Sequence, residues 1–484
     1  FIAAHQATLR GRFNQNLTAK TIPHNLARSG SLRRKLGIPN PILFYQLASC
    51  VVENWTDLHR CASQSHFSLT TPVDDGIMSR AIERQYSLTE RPVRRAQLRS
   101  TARYILQADI SRFYPSVYTH SIPWAIHTKA IAKVNRGDEY IGNRIDRLVR
   151  NGQDGQTVGI PIGRDTSLLL AEIILNALDA RLTGNGITSG FRYIDDYELG
   201  FKTLAAAEET LAFLQEVLND YELALNPSKT RIVRLPIETA PLAISELRTF
   251  QFRTSVAGKE SDILRYFDRA FVLSNESPEE GILKYAIPRL SGEDIHASNW
   301  SLAEKLILQS VMSEAGAISL ALNQIVRYRD MGYPIDRERI SEAFNDTVCQ
   351  HAPLGHGSEV AWAIWGLLVL RVHLSDVSFR AAIGMNDSVV ALLLLDAESK
   401  GLILGGGDFT SMQAVMTTEE LYDEYWLLAY EANNKGWLPS AGGGDHVDRD
   451  ECFSVLKNNS VSFYDNALSD QVRFQPPAGW AATY

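Results

Sequence analysis

The sequence predicts an α+β fold in which helices lie on one face of an antiparallel sheet, followed by an all-α region. Three observations lead to this prediction. Residues 104–236 follow the order strand, helix, helix, hairpin, helix, strand, which is typical of α+β domains. Two adjacent acids, Asp195 and Asp196, interrupt an apolar and aromatic stretch, as the tip of a hairpin does. Beyond about residue 290 the strand pattern fades and apolar residues recur at helical spacing.

The N-terminal elements are basic and interrupted by glycine and proline. Residues 1–40 predict an arm or a first helix packed over another element, and residues 41–62 predict a helix from their apolar spacing. Residues 65–103 mix turn residues with arginines, which favours extended fingers built of short strands.

The central elements are predicted from periodicity. Residues 104–110 read as a buried strand that ends in an acid, Asp109. The remaining elements are helices over 122–149, 166–182 and 205–221, a glycine-rich stretch over 151–163, and a strand over 230–235.

The C-terminal region predicts an array of helices of the repeat kind, similar to HEAT repeats, although its spacing has no fixed period. The chain therefore divides into three predicted parts, which are residues 1–240, 241–290 and 291–484. The predicted C-terminal helices cover 301–319, 359–374, 389–400 and 418–433.

Composition is that of a globular protein, with 45% hydrophobic and 21% charged residues among 484. Residues 1–105 carry 15 Lys and Arg against 6 Asp and Glu, whereas the remainder carries 33 against 50. A basic segment on an acidic protein indicates either one surface that faces nucleic acid or a solvated basic face. Four scattered cysteines, no secretory signal pattern and no apolar run of membrane-spanning length predict a cytoplasmic protein with no membrane contact.

The acidic residues carry the predicted chemistry. Asp195 and Asp196 repel each other by several kcal/mol, by order of magnitude, unless a cation lies between them. Asp109, at the end of a neighbouring strand, supplies a third carboxylate, although alone it would read as a buried structural acid. Such a set can hold two divalent ions ~3.5–4 Å apart, which is the arrangement used for phosphoryl transfer, and Mg²⁺ prefers oxygen ligands of this kind.

Four stretches resemble, in order, motifs A to D of reverse transcriptases. They are residues 109–114, 159–167, 193–196 and 225–230. The resemblance covers residues 35–290 and implies a right-hand polymerase fold. Residues 1–240 would then form fingers and palm, 241–290 a thumb-like segment, and 291–484 the helical repeat-like domain.

Within that family, the chain is most similar to bacterial reverse transcriptases of the antiphage-defence type, which include abortive-infection and unknown-group members. Residues 113–125 are the most specific stretch. Residues 356–362 and 426–430, in the helical region, are also similar to that group.

The resemblance implies a role for each motif residue in catalysis. Asp109, Asp195 and Asp196 would coordinate Mg²⁺, or Mn²⁺ as the alternative ion, and the Ile110 carbonyl would add a contact. Lys229 would protonate or neutralise the pyrophosphate leaving group.

The nucleotide site follows in the same way. Tyr114, next to Phe113, occupies the position of a steric gate that excludes the ribose 2′-hydroxyl. Ile162 and Gly163 would lie near the incoming nucleotide, and Ile162 stands where many relatives carry Gln. Several arginines between residues 80 and 103 are candidates for the triphosphate, of which Arg80 and Arg103 are chosen.

The predicted function is transfer of deoxynucleotides (dNTPs) onto a primer, RNA-templated or untemplated, in bacterial antiphage defence. The predicted partners are nucleic acid, either a noncoding RNA or the DNA product, and a second copy of the chain. The alternatives are a retron-like or mobile-element reverse transcriptase, a non-catalytic nucleic-acid-binding assembly protein, and an RNA-dependent RNA polymerase.

Three further signals receive structural interpretations. His356 and Glu359 have i, i+3 spacing without another ligand, which favours a helix cap or a surface pair over a metal site. Glu198 is predicted on the surface of its strand. Trp362, together with the later tryptophans, is predicted to anchor helix packing.

Overall fold

The computed structural model of the chain describes residues 16–28, 33–74 and 80–474. By their contacts these residues divide into two compact units. The sheet unit contains residues 16–21, 39–74 and 80–240, and the helical unit contains residues 22–28, 33–38 and 241–474. No helix in this part of the chain combines the length and apolar character that crossing a bilayer requires.

The structure mixes strands and helices, and more than half of it is helical. The strands are β1 (Ile22–Ala27), β2 (Arg33–Ile38), β3 (Pro72–Val73), β4 (Glu83–Arg84), β5 (Tyr104–Asp109), β6 (Gly190–Tyr193), β7 (Asp196–Phe201) and β8 (Arg231–Arg234). The helices of the sheet unit are α1 (Pro41–Glu53), α2 (Trp55–Ala62), α3 (Arg91–Arg99), α4 (Phe113–Ser116), α5 (Ser121–His127), α6 (Lys129–Val134), α7 (Ile141–Asn151), α8 (Asp165–Gly184) and α9 (Leu204–Asn219).

The helical unit contains the remaining helices. They are α10 (Leu242–Thr249), α11 (Val256–Glu276), α12 (Ile282–Arg289), α13 (Ala297–Ser313), α14 (Ile318–Asp330), α15 (Arg337–His351), α16 (Gly357–Leu370), α17 (Asp376–Ile383), α18 (Ser388–Ser399), α19 (Trp426–Asn434), α20 (Phe453–Asn458) and α21 (Leu468–Gln471).

A four-stranded antiparallel sheet forms the centre of the sheet unit, in the order β6-β7-β5-β8. On one face, Leu106 and Ala108 pack with the buried helix α8. Ile105 points to the other face, since side chains alternate along a strand, and there it packs with Leu98 of α3. The sheet is therefore covered by helices on both faces, and the prediction of a one-sided cover is wrong.

Helix α3 is the main element that the sequence prediction missed. Between residues 65 and 103 the described strands, β3 and β4, have only two residues each, whereas Arg91–Arg99 is helical with Pro92 in its first turn. Proline suits that position because its missing N–H would be unpaired there in any case. The expected finger of short strands is therefore replaced, in its second half, by an arginine-rich helix.

A second difference lies near the N-terminus. The strands β1 and β2 pair antiparallel as a hairpin, with Ile22 opposite Ile38 and Ala27 opposite Arg33, where the sequence predicts an arm or a first helix. Residues 1–15 and 29–32 of the predicted arm lie outside the described residues. The β1–β2 pair packs on α16 and belongs to the helical unit.

The helical unit has one continuous apolar core from Ile244 to Leu438. Trp300 and Tyr328 stack within it, with ring centroids 4.1 Å apart. Trp426 is buried, but Trp362 is 38% exposed and does not anchor packing as predicted. The HEAT-like assignment and the domain boundaries at residues 240 and 290 stay predictions.

Candidate active site

The hairpin β6–β7 closes with a two-residue turn, Ile194-Asp195, because Tyr193 pairs with Asp196. Ile194 has φ +53°, a conformation that β-branched residues rarely adopt. Such backbone strain persists only where the surrounding structure enforces it, and it is concentrated at functional sites.

A buried polar network enforces this turn. The Arg192 guanidinium donates to the Ile194 carbonyl at 2.9 Å, and Thr70 Oγ1 accepts the Ile194 N–H at 3.2 Å. Arg192 is fully buried and pairs with Glu172 at 2.9 Å and with Asp179 at 2.8 Å. The ion pairs therefore hold the Arg192 guanidinium in place, and the guanidinium holds the Ile194-Asp195 turn.

Three carboxylates meet at this turn. Asp109, the last residue of β5, lies directly across from Asp196, the first residue of β7. The Ile110 N–H donates to the Asp195 carbonyl at 3.1 Å. Two adjacent strand ends and one turn thus bring together the acids that lie 86 residues apart in sequence.

The segment after α9 joins the same site. Lys229 Nζ donates to Asp109 Oδ2 at 2.8 Å, and the Asn226 side chain donates to Asp109 Oδ1 at 2.9 Å. The Asn226 backbone N–H also donates to the Asp109 carbonyl, at 2.7 Å. Sequence reasoning gave Asn226 no role, although its place in the stretch 225–230 beside Lys229 was an available signal.

The negative charges of Asp109, Asp195 and Asp196 are only partly balanced by the positive groups around them. Burial, together with the neighbouring Asp196 carboxylate, raises the pKa of Asp195 to about 6. Burial and Asp109 also raise the pKa of Asp196, although Arg91 opposes this shift. A divalent cation would relieve this repulsion, and three carboxylates are the hard oxygen donors that Mg²⁺ and similar ions take. The residues present therefore fit a divalent metal site.

The predicted gate lies on the short helix α4. Phe113 is buried and Tyr114 is half-buried, with ring centroids 5.4 Å apart. The Ile160 N–H donates to the Tyr114 carbonyl at 2.9 Å. A Cβ on Gly159 would lie 3.3 Å from the Pro115 carbonyl, and this glycine has φ +92°, so only glycine fits this approach without strain.

The loop that follows contains Ile162, which is half-buried, and Gly163, which is exposed with φ +105°. Arg80 lies against this loop and donates to the Gly163 carbonyl at 3.2 Å. Its guanidinium also pairs with Asp165, at the start of α8, with Nε to Oδ1 at 2.8 Å. Arg80 therefore holds the loop to the helix.

The structure does not bring Arg103 to the carboxylates. It precedes β5 and is exposed, whereas Asp109 ends that strand. Six extended residues separate the two by about 20 Å. The arginine that does reach the site is Arg91, whose Nη1 lies 3.2 Å from Asp196 Oδ2.

Arg91, Arg95 and Arg99 form a row on α3 that faces Glu198 of β7. Their guanidinium nitrogens lie 3.6, 2.6 and 3.5 Å from the Glu198 carboxylate. Glu198 is 2% exposed, so its predicted surface position is wrong. Three arginines around one buried acid leave positive charge beside the carboxylate site.

Three carboxylates gathered at adjacent strand ends are an arrangement that can hold divalent ions for phosphoryl transfer. Residues 49–282, just under half of the chain, match the family model of reverse transcriptase (RNA-dependent DNA polymerase). This segment is a reverse transcriptase domain, the domain of RNA-directed DNA polymerases. The match confirms the predicted enzyme class.

Among solved structures, the chain is similar to apo telomerase from Candida tropicalis, with 12% identity and a TM-score of 0.36. The likeness covers 66% of this chain and 66% of the telomerase chain, just under two thirds of each. No curated protein matches the sequence.

Proposed function

We propose that the protein is an RNA-directed DNA polymerase that adds dNTPs to a primer 3′-hydroxyl by a two-metal mechanism. The observation that carries this proposal is the meeting of Asp109, Asp195 and Asp196 at the end of the sheet, inside the segment that matches reverse transcriptases. A binding protein without catalysis would have no need of this repulsive arrangement.

Asp109, Asp195 and Asp196, with the Ile110 carbonyl, would hold the divalent ions, for which Mg²⁺ is proposed and Mn²⁺ is the alternative. Such ions activate the primer hydroxyl and stabilise the leaving oxygen in phosphoryl transfer. The role of the protein is to fix the three carboxylates, and the Arg192 and Thr70 contacts to Ile194 support this role.

Lys229 is proposed as the group that meets the pyrophosphate. Its side chain is 57% exposed while its Nζ contacts Asp109, so it is accessible from solvent. With a cation at the carboxylates, the Lys229 ammonium would be free to donate a proton, or positive charge, to the leaving group. Asn226 would keep Asp109 in place.

The test of the proposed activity is incorporation of labelled dNTPs by purified protein with Mg²⁺, with and without added RNA. The Asp195→Ala/Asp196→Ala variant is expected to lose incorporation by at least a thousand-fold. Equal incorporation by the two proteins would refute the catalytic assignment. Sequencing of co-purified nucleic acid distinguishes templated from untemplated synthesis.

Tyr114 is proposed as the steric gate, and its half-buried ring beside Phe113 supports this role. Replacing Tyr114 with Ala is expected to raise the use of ribonucleotides relative to dNTPs by about ten-fold or more. Competition between each ribonucleotide and its dNTP in single-nucleotide extension measures this ratio. An unchanged ratio in an active variant contradicts the gate role.

Antiphage defence is the proposed biological role, supported by the resemblance of residues 113–125 and 356–362 to defence reverse transcriptases. The helical unit is proposed to bind RNA or a second copy of the chain. Plaque counts on bacteria carrying the wild-type protein should fall, and Asp195→Ala/Asp196→Ala should restore them. Equal plaque counts with active enzyme would favour the retron-like or mobile-element alternative.

A further inference from the structure

The helical unit brings together three side chains that sequence spacing did not join. His351 ends α15, His356 directly precedes α16, and Glu359 lies in the first turn of α16. One ligand atom from each lies within 4.8 Å of the other two. Sequence spacing gives His356 and Glu359 no third ligand. The fold supplies one, His351, from the end of the preceding helix.

The distances suit a small ion. The two Nδ1 atoms are 2.9 Å apart, and they lie 3.9 Å (His351) and 3.8 Å (His356) from Glu359 Oε1. Two ligands at about 2.0–2.1 Å from a tetrahedral Zn²⁺ are separated by about 3.3 Å. The distance between the two Nδ1 atoms is shorter than 3.3 Å, and their distances to Glu359 Oε1 are longer. Small rotations of the two rings would therefore bring all three ligand atoms to coordination distance of one ion.

The burial of the three groups also suits a metal site. Glu359 is 3% exposed, whereas the rings are about one-fifth to one-quarter exposed. An ion can therefore enter past the histidines and reach a carboxylate ligand at the bottom of the site.

Arg33 of β2 contacts the same carboxylate. One guanidinium nitrogen donates to Glu359 Oε2 at 2.5 Å, and another contacts Oε1. Such a partner resembles the outer-shell groups that orient metal-bound carboxylates. Asp387 adds negative charge nearby, since a Cβ on Gly357 would lie 2.0 Å from its Oδ2.

We propose that His351, His356 and Glu359 form a binding site for a divalent transition-metal ion of the zinc class, separate from the carboxylate site of the sheet unit. Imidazole and carboxylate ligands favour such ions. The ion ties the end of α15 to the start of α16 and leaves a fourth position for water or another ligand.

The experiment uses the full chain with Asp195→Ala/Asp196→Ala, so that ions bound at the sheet are removed from the measurement. After treatment with a chelator and dialysis, Zn²⁺ uptake is measured by elemental analysis and by a competing fluorescent chelator. One equivalent is expected, together with a higher unfolding temperature. Co²⁺ in place of Zn²⁺ should give the visible absorption of a low-symmetry, four-coordinate ion.

His356→Gln and His351→Gln are each expected to weaken Zn²⁺ binding by at least ten-fold. His373→Gln, an exposed histidine of the same unit, is the matched control and should bind Zn²⁺ unchanged. Circular dichroism verifies that each variant is folded. The proposal is overturned if the starting protein takes up no Zn²⁺ at micromolar concentrations, or if both glutamine variants bind it as the control does.

Discussion

Asp195, in the candidate active site, opposes the stability of its own fold. Its carboxylate lies next to Asp196 and close to Asp109, and burial together with Asp196 raises its pKa to about 6. In the unfolded chain the same group titrates near 4. The folded state therefore binds the proton more tightly, and ionisation of Asp195 destabilises the fold as the pH rises from about 4 through about 6.

Replacing Asp195 with Asn should therefore stabilise the protein when no divalent ion is present. At pH 7.5 in a chelator we expect a gain of about 1–2 kcal/mol, below the roughly 3 kcal/mol that two pKa units would give, since the group is partly exposed. The gain should shrink at pH 5, where the wild-type carboxyl is protonated. Chemical denaturation at both pH values measures it, and a less stable variant at pH 7.5 contradicts the expectation.

Thr70 holds the turn that carries the proposed metal ligands. Its Oγ1 accepts the Ile194 N–H and donates to Glu172 at 2.6 Å. Thr70→Val keeps the shape and removes both bonds, at a cost of about 1–3 kcal/mol in stability.

We expect Thr70→Val to lower kcat by about ten-fold with little change in KM for dNTP, because the displaced carboxylate acts in the transition state. Thr71→Val, one residue further on, is the control and should keep its activity. A rise in KM alone would show that Thr70 serves binding rather than positioning.

At the scale of elements, α3 explains the charge around the carboxylate site. Gln107 pairs with Glu198 and Asp109 with Asp196, and with a period of two these residues share one face of the sheet. Helix α3 covers part of that face and brings its arginines to it. The same face thus carries the acids proposed to bind divalent ions and arginines whose charge suits a triphosphate.

A comparison of Arg91 with Arg103 tests whether contact with the carboxylate site matters. Arg91 contacts Asp196, whereas Arg103 is an exposed arginine distant from the acids. Arg91→Gln removes the guanidinium beside Asp196, so we expect KM for dNTP to rise or turnover to fall by about ten-fold. Arg103→Gln should stay within about two-fold of wild type. Steady-state extension assays compare the two variants. Equal effects on KM and turnover would contradict a role for Arg91 of α3 at the carboxylate site.

Sequence predicted the elements whose signals are local and missed those whose partners are remote. The β6–β7 hairpin was predictable because its acids and aromatic residues lie within eleven positions. Glu198 was placed on the surface because the three arginines that satisfy it lie about 100 residues away in a segment expected to be strands. Charge alone suggests Arg103, and only the extent of β5 shows that it lies at the opposite end of the strand from the acids.

At the scale of the molecule, the order of elements along the chain does not predict which unit each element packs in. The β1–β2 pair lies in sequence between residues 16–21 and 39–74 of the sheet unit, but it packs with a helix of the helical unit. Arg33 fixes it there through the buried Glu359, and Asn25 donates to the Gly355 carbonyl at 2.9 Å. No local pattern in residues 22–38 indicates partners more than 300 positions away.

Arg33→Ala should destabilise the helical unit, because Glu359 would be left as a buried charge without its partner. The expected loss is about 3 kcal/mol, measured as thermal or chemical unfolding in the presence of a chelator. Lys35→Ala, on the exposed part of the same strand, should change stability by less than about 0.5 kcal/mol. Equal stability of the two variants would show that the ion pair contributes nothing.

The same hairpin has a consequence for synthesis on the ribosome. Arg33 and Glu359 are separated by 326 positions, which at about 5–20 residues per second corresponds to roughly 15–65 s of translation. During that interval β1 and β2 have been synthesised, but the helix α16 that packs on β1 has not. Until α16 is made the two strands lack this partner, and we expect the segment to be a site of chaperone capture.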